Sequence, residues 1–237
     1  MANLSPIDIS KSIIKLGNTI LRQKALPWTK DEIRDRVKVE KILETLSREM
    51  VASSGTGIAA PQIGIPKQLF LFELQSKRDG LQCPEFPLTA FFNPEIHIIE
   101  DEVKTPKSMF GSSKNLMNLS KYKSKLQTAE SSLPSQPTSQ NTIKIWESCL
   151  SIPNFYAPVP RGRKCIIKFL DIEANERVIE CDGIVAACLQ HENDHLLGKV
   201  FADRLANPLN DLIYISELTT EQISDIFNHT GDFQIVK

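Results

Sequence analysis

His191-Glu192-Asn193-Asp194-His195 is the part of this sequence whose residue types and spacing carry the most chemistry. On a helix, residues four apart share a face, so both imidazoles can reach one metal ion while Glu192 sits beside the water that such an ion binds. That is the arrangement of a metal-dependent hydrolase with a carboxylate acid/base. The same five residues could also be two histidines satisfied on a polar helix face. Against this stands the apolar approach of Ile184, Val185, Ala186, Ala187 and Leu189, which buries the helix. Glu192 and Asp194 then need partners, and a metal is one.

A hydrolytic metal site also wants a third protein ligand and an open position. In the metzincin pattern a third His follows, but Phe201 occupies its place here. A gluzincin-type site would use a downstream carboxylate such as Glu217, while neither His97 nor His229 has a context that recommends it. Cys149, in Trp146-Glu-Ser-Cys-Leu-Ser-Ile-Pro153, is a further candidate, because a thiolate binds divalent iron or zinc well. A lone Cys is just as readily a small buried hydrophobe, so the residues alone leave the third ligand open.

The elements that must position these groups can be read from periodicity. Asp31 to Val51 spaces Ile33, Val37, Ile42, Leu43, Leu46 and Met50 as an amphipathic helix. Apolar runs at 68–73, 90–99, 164–171 and 176–180 read as strands, and Asp182-Gly183 precedes a buried helix from Ile184 to about Leu197. Residues 103–145 are rich in Ser, Lys, Gln, Asn and Thr without apolar period, which reads as a mobile insertion. Residues 207–237 read as a C-terminal extension with a short helix from Thr219 to Phe227. The expected fold is α+β, a single catalytic domain over 1–237 with mostly antiparallel strands packed around a long central metal-binding helix.

The totals narrow the function further. In 237 residues, 28 Lys and Arg against 29 Asp and Glu give a net charge of −1, which is no footprint for a nucleic-acid substrate. No run is long and apolar enough for a membrane span, and the N-terminus lacks a signal-peptide pattern, so a cytoplasmic location without membrane attachment is expected. Five cysteines without regular spacing read as free thiols rather than a disulfide framework.

Three separated segments, taken together and in order, resemble the signature motifs of peptide deformylases: Gly55-Thr-Gly-Ile-Ala-Ala-Pro-Gln-Ile-Gly64, Glu147-Ser-Cys-Leu-Ser151 and Gln190-His-Glu-Asn-Asp-His-Leu-Leu-Gly198. Phe92-Asn-Pro94, Val159-Pro-Arg161 and Lys199 to Arg204 agree with the family as well. The resemblance implies a metal held by Cys149, His191 and His195, with Fe²⁺ native and Ni²⁺ or Zn²⁺ its common replacements in purified protein. It implies Glu192 as catalytic carboxylate, Gln62 and the Leu150 N–H as oxyanion donors, and Gly57 and Ile58 as the backbone edge that receives the peptide. The implied reaction removes the N-formyl group from the initiator methionine of N-formylmethionyl peptides and nascent chains, with the ribosome as one place for it. Such a substrate needs an apolar pocket. Helical spacing from His191 nominates Ile184, Ala187 and Cys188, with Ile58, as its walls, although each could equally be core packing. Two departures stand out: Ser148 where the family usually has Gly, and the length of the insertion after Asn93-Pro94.

Overall fold

A computed structural model describes residues 13–75, 85–99, 141–227 and 231–236. The chain enters through two helices, α1 (Lys30–Arg34) and α2 (Arg36–Ala52). A single helix was expected here. It breaks at Asp35, which caps α2 by accepting the Lys38 N–H, while Thr29 and Glu32 form a capping box at the start of α1. The break resets the helical phase, so Val39, Ile42, Leu46 and Met50 face the core and Val37 is 81% exposed.

The strands are β1 (Gly57–Ala59), β2 (Leu69–Leu74), β3 (Phe86–Ile98), β4 (Thr142–Cys149), β5 (Ile152–Gly162), β6 (Lys164–Leu170), β7 (Glu176–Asp182), β8 (Ile213–Tyr214) and β9 (Gly231–Val236). They form a larger sheet in the order β1-β2-β3-β6-β7-β9 and a smaller one in the order β4-β5-β8. Every ladder between these strands is antiparallel. The fold is α+β.

Helix α3 (Gly183–Leu196) packs against strands of both sheets. Phe70, Phe72, Phe91 and Ile167 of the larger sheet bury against its Val185, Ala186 and Leu189. Leu69 and Leu71, alternate residues of β2, point the other way into a cluster with Ile42, Leu46, Phe92 and Trp28. That two-sided burial explains why β2 reads as a continuous apolar run. At the end of α3, Gly198 takes φ +72° where the chain passes the Arg22 carbonyl. A Cβ there would lie 2.7 Å from that oxygen, so the reversal requires glycine.

Strand β5 is not among the runs the sequence marks as strands, and it carries Pro153, Pro158 and Pro160. Pro158 and Pro160 share one parity and pair with Trp146 and Lys144 of β4. Their nitrogens turn to the side where β8 pairs only with Phe155 and Tyr156, so no ladder bond is lost. The chain continues through α4 (Pro208–Asp211) and β8 to α5 (Thr220–Phe227), the expected C-terminal helix, and ends in β9 on the edge of the larger sheet.

The segment expected to be irregular ends earlier than 145, since β4 already begins at Thr142. Residues 103–140 of it lie outside the described residues. The two ends around it meet: the Asn141 side-chain amide donates to the Ile99 carbonyl, and Ile99 and Asn141 bond to the neighbouring Lys164 and Arg163 backbone at 2.9 Å each. Nothing in the fold therefore requires a long connection there. Replacing 100–140 by about five Gly/Ser residues should give soluble protein with unchanged far-ultraviolet circular dichroism and metal content. Insoluble or metal-free product would show that the segment belongs to the core.

Candidate metal centre

Cys149 closes β4 at the hairpin into β5, where it pairs with Ile152, and His191 and His195 stand one turn apart on α3. The hairpin of the smaller sheet thus brings a thiol to two imidazoles more than forty positions away in sequence. One ligand atom from each residue lies within 4.8 Å of the others. Cys149 Sγ is 3.4 Å from His195 Nε2. Atoms bound about 2.0–2.3 Å from one tetrahedral ion stand about 3.3–3.8 Å apart, a spacing the Cys149–His195 pair already has. Two buried atoms of the same helix segment, Glu192 Oε2 and His195 Nδ1, have no hydrogen-bond partner. Glu217, the alternative third ligand, is exposed on a 3-10 turn and takes no part in the cluster.

His191 is oriented by groups the sequence reading did not assign. Its Nδ1 lies 2.7 Å from Glu147 Oε2, which makes Nδ1–H the donor and leaves Nε2 for the ligand position. Both Glu147 oxygens accept from Arg161, at 2.6 Å and 2.9 Å. The remaining arm of the guanidinium donates to Asp194 Oδ2 at 2.6 Å, and Arg204 donates to both oxygens of Asp194. Arg161, Glu147 and Asp194 are all buried. The partner that buried Asp194 needed is thus a pair of arginines rather than a metal. Gln190 adds a clamp from the same helix, accepting the Gly162 N–H at 3.0 Å and donating to the Gly162 carbonyl at 2.8 Å.

The network sets the charge states of the site. Burial alone would raise the Glu147 carboxyl, but the Arg161 guanidinium beside it overrides that and holds it at about 2. Burial would likewise raise the Cys149 thiol, yet His195 and His191 bring it well below its ordinary value. Burial opposes a charged His191, while Cys149 and Glu147 raise its pKa well above normal. A field that favours an imidazolium at this point favours a metal cation for the same reason. Glu192 differs: burial dominates and pushes it up to about 7.

A cleft of ≈ 470 Å³ opens onto these groups, within the size range of ligand pockets. Gln62, Gly57 and Leu150 line it, as do Ile184, Ala187 and Cys188 of α3. Gln62 Oε1 accepts the Ala59 N–H at 2.8 Å, which turns its NH₂ toward Ser151 Oγ at 3.2 Å and Cys149 Sγ at 3.7 Å. Gly57 lies so close to Glu192 that a Cβ would sit 2.4 Å from its Oε1. Ile58 does not line the cleft: strand alternation turns its side chain away, and it is fully buried in the cluster against α2. Ser148 sits exposed at the cleft, where the β4–β5 register shifts, and its φ is not positive, so its Cβ imposes no backbone strain. A separate, larger groove of ≈ 780 Å³ between α2 and β3 contains none of the metal-ligand residues.

The family profile described as Polypeptide deformylase matches residues 10–210. This chain belongs to the peptide deformylase family. Peptide deformylase 2 of Prochlorococcus marinus (strain MIT 9313) is 30% identical over 195 residues, 81% of this chain and 72% of the relative. The peptide deformylase of Pelagibacter ubique is 29% identical over 86% of this chain and 90% of its own length. Among solved structures, a Synechococcus elongatus peptide deformylase in complex with actinonin superposes with a TM-score of 0.57 at 25% identity, covering 88% of this chain and 86% of the other. A Legionella pneumophila deformylase gives 0.57 at 27% identity, covering 84% and 87%. Against these deformylases the expected hydrolase class holds, and the gluzincin alternative falls away.

Removing Arg161 takes two hydrogen bonds from buried Glu147 and one from buried Asp194, and leaves Glu147 with His191 and Asp194 with Arg204 alone. Arg161→Met should therefore cost about 3–5 kcal/mol of stability, read as a fall in the urea midpoint, and weaken metal retention through His191. A change below about 1 kcal/mol would mean that Arg204 and His191 already suffice to hold the two carboxylates.

Proposed function

We infer that this deformylase removes the N-formyl group from the initiator methionine of newly made polypeptides, releasing formate and a free amine. The observation that carries this reading is the convergence, at one cleft, of the Cys149, His191 and His195 ligand atoms with the buried Glu192 carboxylate, whose Oε2 has no hydrogen-bond partner. Cys149, His191 and His195 would hold one divalent cation, which when bound supplies a Lewis acid and lowers the pKa of water in the cleft. We propose Fe²⁺ as the native ion, since one thiolate and two imidazoles suit it, with Zn²⁺ and Ni²⁺ able to replace it.

The protein's own groups divide the remaining work. Glu192, poised by burial near neutrality, takes a proton from the attacking water and passes it to the departing amine nitrogen. Gln62, held by the Ala59 N–H, directs its amide hydrogens toward the developing oxyanion, and the backbone N–H of Leu150 serves as the second donor. The Gly57 backbone receives the peptide, because the missing side chain lets both Glu192 and the substrate approach it. Ile184, Ala187 and Cys188 offer the methionine side chain an apolar wall. N-formylmethionyl nascent chains are the natural partners of such a cleft. Among the described residues no helix is long and apolar enough to cross a membrane.

Two substitutions separate ligand from acid/base. Cys149→Ala should abolish formate release from formyl-Met-Ala-Ser and strip most of the metal, while Glu217→Ala should do neither. Glu192→Gln should keep full metal occupancy, because the amide is of similar size, and lower kcat by at least about 10²-fold. More than roughly a tenth of the wild-type rate at full occupancy would show that another group moves the proton.

A further inference from the structure

The C-terminal residues beyond 210 lie outside the stretch that matches the family, yet they reach the cleft. Strand β8 joins the smaller sheet by pairing Ile213 and Tyr214 with Tyr156 and Phe155, and β9 joins the larger sheet by pairing with β7 from Val178 to Asp182. Helix α5 comes between these two strands in the chain and packs against β4, the strand that carries Cys149. The chain is therefore tied to both sheets, with α5 beside the cleft. Its Ile226 is half-buried and lines the same cavity as Glu192 and His191, together with Trp146, Leu150 and Tyr156. Ile223, one turn earlier, is 43% exposed and is not part of that lining.

Besides Leu74 and Ile145, the apolar groups of the lining fall into two sets. Ile184, Ala187 and Cys188 come from α3, on the side of the metal ligands. Trp146, Leu150, Tyr156 and Ile226 come from β4, the hairpin turn, β5 and α5. Resting on the deformylase reading, in which the residue after the formylated methionine lies along this second set, we propose that Ile226, from outside the stretch that matches the family, makes that subsite select an apolar side chain. Filling such a subsite with a branched alkyl group removes both apolar surfaces from water. A glycine leaves them wet, and an apolar contact of this size discriminates by about tenfold or more.

The test uses the full-length, metal-loaded chain with formyl-Met-Leu-Ser, formyl-Met-Gly-Ser and their deformylated counterparts. Wild type should favour the Leu peptide in kcat/KM by about tenfold, mainly through KM. Ile226→Ala should cut that preference to about twofold, and Ile226→Phe, which fills the subsite, should turn it toward the Gly peptide. Ile223→Ala should leave the preference unchanged. Binding of the deformylated peptides, followed by tryptophan fluorescence with Trp146 as the cleft reporter, should show the same dependence on Ile226 without turnover. A chain that binds in this way but releases no formate would refute the deformylase activity and leave the subsite standing. Equal losses on both peptides in Ile226→Ala, or an unchanged ratio in both Ile226 variants, overturn the assignment.

Discussion

A guanidinium buried between two carboxylates governs how this molecule is assembled. Arg161 on β5 is removed from water, and so are Glu147 on β4 and Asp194 on α3. An ion so placed is tolerated only when nearly all its hydrogen bonds are made, and that condition fixes three elements against one another. The β4–β5 register, the rotation of α3 and its height along the smaller sheet all follow from it. Because Glu147 also takes the Nδ1–H of His191, the constraint reaches the ligand sphere directly. Stability and chemistry are thus coupled here: the charges that cost most to bury are the ones that aim the imidazole.

Helix α3 was legible because its apolar run, its two histidines and the bounding Gly183 and Gly198 all express one period. The proposed third ligand was not legible from residues alone, since nothing local separates Cys149 from a buried hydrophobe; only three motifs occurring in one order nominate it. The charge network escaped altogether. Its members are 14 and 33 positions apart, no period links them, and Arg161 sits beside Pro158 and Pro160, in a stretch without a strand signal. Burial of Asp194 signals that a cation must neutralise it, but among 28 Lys and Arg no spacing points to Arg161 and Arg204. The break at Asp35 was missed because a capping Asp inside a charged helix looks like any other surface acid, although it moves Val37 from core to solvent.

The cleft is shaped as much by missing atoms as by present ones. Gly57 permits Glu192 to lie against β1, an edge strand of the larger sheet, so the carboxylate and the open backbone edge face the same space. Ile58, the next residue, points away and anchors that edge to α2. Ser148 is accommodated because it falls at a register shift, where the backbone bends without a left-handed residue. The departure from the usual family glycine therefore alters the polarity of the cleft mouth and leaves the ligand loop unstrained.

All of this comes to rest on one claim, that Cys149, His191 and His195 form a single site for a catalytic cation. The direct measurement is a titration of metal-depleted protein with Co²⁺ in the absence of oxygen, recording the thiolate-to-metal charge-transfer band and formate release from formyl-Met-Ala-Ser in parallel. Both signals should rise together and end at one equivalent per chain. Formate release that persists without metal, or that returns without any thiolate band, would contradict the account.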